Sequence, residues 1–185
     1  MKLKIQTGNN VKIGRGTIIG EEGFSYRLLC AKCGNKLTYI EIIKSAFKCV
    51  DCDWDLRLGG TWVEHQHHYG VKIEDNVDVG SLCVIDRGSV RDTTIREGTK
   101  INSHVFIGHN VIVGKHCLVG AGAKIHGSAV IGDYAFIGPG VRINSHVKVG
   151  ECAVIGMGTV VMKDVPPFTK VVHTRREPLR TDHNA

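Results

Sequence analysis

A chain of 185 residues is long enough for one domain with a sizeable core and a small extra module. Hydrophobic residues make up 42% but aromatics only 6%, so the core must be aliphatic, and 23 glycines against four prolines favour short strands with tight corners over a helical bundle. The formal charge of +6 suits anionic ligands (nucleic acid, CoA or a nucleotide sugar) without choosing among them. No apolar run approaches the roughly 20 residues of a membrane span, and the opening MKLKIQTGNN lacks the apolar centre of a secretion signal, so the cytoplasm is the expected compartment.

Ile13 and Ile19 stand six residues apart near the start, and the rhythm then stops for about fifty residues. It resumes at Ile73, Val79 and Ile85, takes one step of ten across GSVRDTTI, and runs from Ile95 to Val161 without a slip. Residues six apart fall on different faces of a helix, and a strand alternates every two, so neither element explains the pattern. A triangular solenoid does: each hexapeptide forms one side, 18 residues complete a coil, and the aliphatic residue points inward. The fold class is therefore all-β, a parallel β-helix of hexapeptide repeats. We divide it into a first coil over residues 1–26, an inserted module over 27–61, the main β-helix over 62–164 and a capping tail over 165–185, which would cover an open sheet edge.

The insert holds Cys30-Ala-Lys-Cys33-Gly34 and Cys49-Val-Asp-Cys52. Paired CxxC knuckles fifteen residues apart are the spacing of a four-thiolate structural zinc site, and the tetrahedral ion would staple an excursion with little core of its own. An odd total of seven cysteines argues against a disulfide framework; Cys83, Cys117 and Cys152 read as small buried or half-buried residues. The insert's lysines are offset by Glu41, Asp51, Asp53 and Asp55, so nucleic acid is not the expected partner. Downstream, His65, His67 and His68 read as exposed loop histidines, with a second metal site as the lesser alternative.

His109 lies two positions after the inward Ile107, at an outward site near a coil corner, where a histidine can serve as general base. Gly127 stands one coil later, where a bare N–H can face a developing oxyanion. Gly122, Gly140 and Gly158 repeat every 18 residues and predict a strip free of side chains, along which the pantetheine arm of CoA can lie.

The stretch Gly20-Glu-Glu-Gly-Phe24-Ser-Tyr26, then Trp62, Val71–Gly80, Ile85-Asp86-Arg87-Gly88 with the ten-residue step, and Ile107-Gly-His109-Asn110 resemble the β-helix domain of the UDP-3-O-acylglucosamine N-acyltransferases. The part from His109 onward is also similar to the sialic-acid and bacillosamine type of sugar N-acetyltransferases. The resemblance implies a left-handed β-helix and a homotrimer. It further implies His109 as catalytic base beside Asn110, with Phe24, Tyr26, Asp86 and Arg87 toward the substrate. Those lipid-building enzymes carry an N-terminal uridine-recognising domain and C-terminal helices that engage acyl carrier protein; neither pattern occurs here. Acetyl-CoA, or another short acyl-CoA, and a nucleotide-linked amino sugar are therefore the expected donor and acceptor. Alternatives are sugar O-acetylation, a trimeric scaffold whose zinc module binds a partner, and a γ-type carbonic anhydrase. The last would want a ligand five residues after His109, where Gly114 stands.

Overall fold

The computed structural model describes residues 4–23, 26–37, 45–172 and 175–178, and every regular element among them is a strand. Two compact units emerge: 1–23 with 67–185, and 24–66. The second exceeds the expected 27–61 because Tyr26–Cys30 and Gly60–Glu64 pair antiparallel from Tyr26↔Glu64 to Cys30↔Gly60, drawing both flanks into the insert's own sheet.

The first unit is a parallel β-helix of six coils. One face stacks Thr7, Ile73, Ile95, Val113, Ile131 and Val149 in register. The second runs Ile13, Val79, Ile101, Val119, Ile137, Ile155 and Val171. Ile19, Ile85, Ile107, Ile125, Ile143 and Val161 form the third. Most strands are only two residues long, because a hexapeptide must also turn a corner of about 120°. From the second coil to Val161, residues two before each inward aliphatic are buried as well, and all are small: Cys83, Thr93, Thr99, Val105, Cys117, Ala123 and Ala135, for instance. They sit where the triangle narrows, and a longer side chain would overfill it.

Left-handed backbone conformations recur in corner columns. One column reads His104, Gly122, Gly140 and Gly158; another His116, Tyr134 and Cys152; the third Asn110, Ser128 and His146. Beyond the last coil the chain lays Thr169–Val172 parallel to Val154–Ile155, and Arg175–Pro178 folds back antiparallel to it. Among the described residues, no helix is long and apolar enough to cross a membrane.

The second unit is a three-stranded sheet, Lys36–Leu37, Tyr26–Cys30 and Gly60–Glu64, around a core of Leu28, Cys30, Leu37, Cys49 and Leu56. Among the described residues of this unit, these five are the buried apolar side chains, a small core for such a module.

Candidate functional site

His109 is half-buried at the third corner of its coil, and its neighbours fix the ring. Asn110 adopts φ = 61° and is 2% exposed. Its Oδ1 accepts the backbone N–H groups of Ser89 (2.8 Å) and Val90 (3.0 Å), so its Nδ2 must face the other way, where it donates to His109 Nδ1 at 2.8 Å. Nδ1 is therefore an acceptor, and the neutral imidazole carries its proton on Nε2. The Asn110 N–H in turn donates to Thr93 Oγ1 at 2.9 Å, and Arg91 Nε donates to the Asn110 carbonyl at 3.1 Å. One asparagine thus ties the four-residue expansion of the second coil to the catalytic candidate.

Gly127 lies against the opposite edge of the ring. A Cβ there would sit 2.7 Å from His109 Cε1 and Nε2, so only glycine leaves room for the imidazole. Around the other side, a methyl group on Gly23 would lie 2.8 Å from Asp86 Oδ2, 2.9 Å from His67 Cε1 and 3.2 Å from His109 Cδ2. Four residues from three coils therefore converge on one point.

His67 corrects the sequence expectation. It is 1% exposed rather than a loop histidine, its ring stands edge-on to His109 at 5.2 Å between centroids, and its Nδ1 lies 3.1 Å from the Arg87 carbonyl and 3.3 Å from the Gly23 nitrogen. His65 is half-buried within 3.5 Å of the Arg27 guanidinium, and His68 is exposed. Among the described residues, these three do not gather into a metal-ligand cluster. His67 has no period to reveal it; it joins the site only because the chain leaves the first coil at Gly23 and rejoins beside it.

Asp86 is 4% exposed, and burial, with the Glu21 charge adding, pushes its carboxyl up to about 6. Arg87 is ion-paired with Glu22. Tyr26 belongs to the second unit and is 41% exposed there, while Phe24 lies outside the described residues. Gly122, Gly140 and Gly158 share φ values of 66–69°, and a Cβ on any of them would meet nothing within 4 Å.

In the second unit, Cys30, Cys33, Cys49 and Cys52 bring their sulfurs within 4.8 Å of one another, with Cys30–Cys52 at 3.7 Å and Cys33–Cys49 at 3.6 Å. Four thiolates at about 2.3 Å from a tetrahedral ion would stand about 3.8 Å apart, so the set fits such an ion. Both knuckles turn on a left-handed residue just after the second cysteine, Gly34 at 75° and Asp53 at 55°. The N–H of Cys33, then that of Lys32, brings the Cys30 thiol down to about 7. Although the Trp54 N–H favours its thiolate, Cys52 is pushed up to about 12 by burial and the surrounding sulfurs. Four thiols so crowded need a cation to ionise together.

Residues 92–127 and 128–163 match the model described as Bacterial transferase hexapeptide (six repeats). The chain is 36% identical over 114 residues to UDP-3-O-acylglucosamine N-acyltransferase 2 of Nitrobacter winogradskyi, covering 62% of this chain and 25% of that one. To the UDP-3-O-acylglucosamine N-acyltransferase of Rhizobium johnstonii it is 39% identical over 122 residues, covering 66% and 26%. It thus spans about a quarter of the length of these relatives. Among solved structures, a UDP-N-acetylglucosamine acyltransferase from Bacteroides fragilis superposes with a TM-score of 0.68 at 21% identity, over 94% of this chain and 55% of that one. A perosamine N-acetyltransferase variant from Caulobacter crescentus, in complex with CoA and GDP-perosamine, gives 0.54 at 24% identity, over 58% and 49%. Residues 92–163 are hexapeptide repeats of the bacterial transferase type, and the chain is a left-handed parallel β-helix with a four-cysteine insert, similar to the sugar-nucleotide acyltransferases.

Proposed function

We propose that this protein transfers an acyl group from CoA, acetyl being the expected one, to an amino group of a nucleotide-linked sugar. His109 serves as the general base, with Asn110 holding it. The observation that carries the reading is the His109 ring, fixed by Asn110 on one edge and given room by Gly127 on the other. The N–H of Gly127 is the donor for the thioester oxygen as it gains charge, and the open glycine strip at 122, 140 and 158 receives the pantetheine arm. Arg87 contributes to the acceptor side. The similarity to sugar-nucleotide acyltransferases supports the substrate class. A homotrimer is the assembly we expect, and the same similarity supports it.

Zinc is the ion we assign to the four cysteines. When bound it supplies structure alone, since four thiolates leave no open coordination position. Cys30, Cys33, Cys49 and Cys52 would hold it, and His109 acts without it.

The test is thiol release from acetyl-CoA against UDP-, GDP- and dTDP-linked amino sugars. One acceptor is expected to support turnover, and His109→Ala is expected to lower kcat by about 10²–10⁴ with the Tm unchanged. Full activity in His109→Ala would remove the base assignment. No turnover and no CoA binding across the panel would favour a scaffold.

A further inference from the structure

Asp86 occupies an unusual place for a carboxylate. It follows the inward Ile85 directly, at the position where the two flanking coils hold Gly20 and Gly108. It is 4% exposed, yet its carboxylate makes no hydrogen bond or ion pair with any described residue. The charged and titratable groups around it are Glu21 and Glu22 of the first coil, Arg87 beside it, His67 on the returning segment and His109 of the third coil. Arg87 is committed to Glu22, and Glu21 only adds negative charge. A buried, unpaired carboxylate is costly, and a cation supplied from outside is what would balance it. Its Oδ2 faces the point where His67 and His109 also converge.

We propose that Asp86 is the subsite for the acceptor's amino group, and so selects an amine over a hydroxyl as nucleophile. This rests on the acyl-transfer reading above. A primary amine arrives as the ammonium ion, a full charge that Asp86 can pair and a neutral hydroxyl cannot offer. The ammonium N–H bond breaks as the Asp86 O–H bond forms, which frees the nitrogen lone pair. The amine then attacks the thioester carbonyl. As the C–N bond forms and the C–S bond breaks, His109, in the tautomer that carries its proton on Nδ1, takes the second nitrogen proton on Nε2 and delivers it to the departing sulfur. The proton on Asp86 leaves to solvent, so the balance is ammonium plus thioester giving amide, thiol and one released proton. The upward shift of the Asp86 carboxyl makes it a better acceptor for that first proton.

The experiment compares the full chain with Asp86→Asn, by calorimetry and by transfer assay. The probes are UDP-glucosamine with UDP-glucose, and the GDP- and dTDP-linked amino and hydroxy sugars paired likewise. The parent protein is expected to bind the amino member of one pair at least tenfold more tightly than the hydroxy member. Asp86→Asn is expected to erase that preference, raising KM for the amino sugar at least tenfold while binding of the hydroxy sugar moves less than twofold. Its Tm at pH 7 should be no lower than the parent's, because the substitution removes an unpaired buried charge. An unchanged amino preference in Asp86→Asn, with transfer intact, overturns this inference and leaves acyl transfer standing. Equal loss of both members with a lowered Tm assigns Asp86 a structural role and overturns it too. If the parent binds and acylates none of the sugars, the acyl-transfer reading itself fails.

Discussion

At the scale of the residue, Asn110 decides what His109 can do. Its Oδ1 is occupied by the N–H groups of Ser89 and Val90, so the amide cannot turn over without losing both. With Nδ2 donating to His109 Nδ1, the resting ring keeps its proton on Nε2, and service as a base there requires the other tautomer. Asn110→Asp separates the two possibilities at constant shape. One carboxylate oxygen keeps the loop N–H groups, the other accepts Nδ1–H, and the Ser89 and Ser128 hydroxyls can reverse to donate. If Nε2 is the basic atom, the variant should hold or raise kcat/KM by up to about tenfold and move the acidic limb of the pH profile upward. A loss of more than about a hundredfold, with the Tm kept, would show that the reaction uses Nε2–H as a donor. His109 itself was legible from its register after Ile107. The Asn110 hub was not, because its partners Ser89, Val90 and Thr93 lie 17–21 residues away, across a loop that breaks the period. Asp86 entered through the resemblance of Ile85-Asp86-Arg87-Gly88, and its place between Gly20 and Gly108 of the flanking coils is a second signal in the sequence.

At the scale of the element, the zinc proposed for the four-cysteine unit would hold it more than its small core does. The knuckles are closed by backbone bonds from Gly34 N–H to the Cys30 carbonyl and from Asp53 N–H to the Cys49 carbonyl, each 2.9 Å. Without a cation, the sulfurs at 3.6–3.7 Å can share protons but cannot all be thiolates. The protein as purified is expected to contain one zinc per chain. Removing it with a strong chelator, or Cys49→Ser, should collapse amide-exchange protection across Tyr26–Glu64 and leave that of residues 93–161 in place. Retained protection at Leu28, Leu37 and Leu56 after metal loss would show that apolar burial suffices. The CxxC spacing made the gathering of the four cysteines readable in advance. The module's edges were not, because Tyr26 and Trp62 look like continuations of the β-helix until the antiparallel pairing is seen.

At the scale of the whole molecule, a solenoid is stabilised by neighbour contacts, so a side chain matters according to its distance from the ends. Ile125 is fully buried and stacks between Ile107 and Ile143, whereas Ile13, in the same chemical role in the first coil, is 45% exposed and stacks on Val79 alone. The six-residue period treats the two alike, and this is where sequence stops speaking: it gives the phase of every coil but not the exposure of a terminal one. Ile125→Ala is expected to cost about 2–5 kcal/mol, the range for a buried aliphatic truncated in a core that cannot close over the gap. Ile13→Ala should cost well under half of that, because part of the Ile13 side chain is already hydrated. Denaturant midpoints compared at equal protein concentration measure the difference, and amide exchange should show protection falling from the central coils toward the first. Equal shifts for the two substitutions would mean that the first coil is covered in solution, which is the result a stable contact with another chain at that end would give.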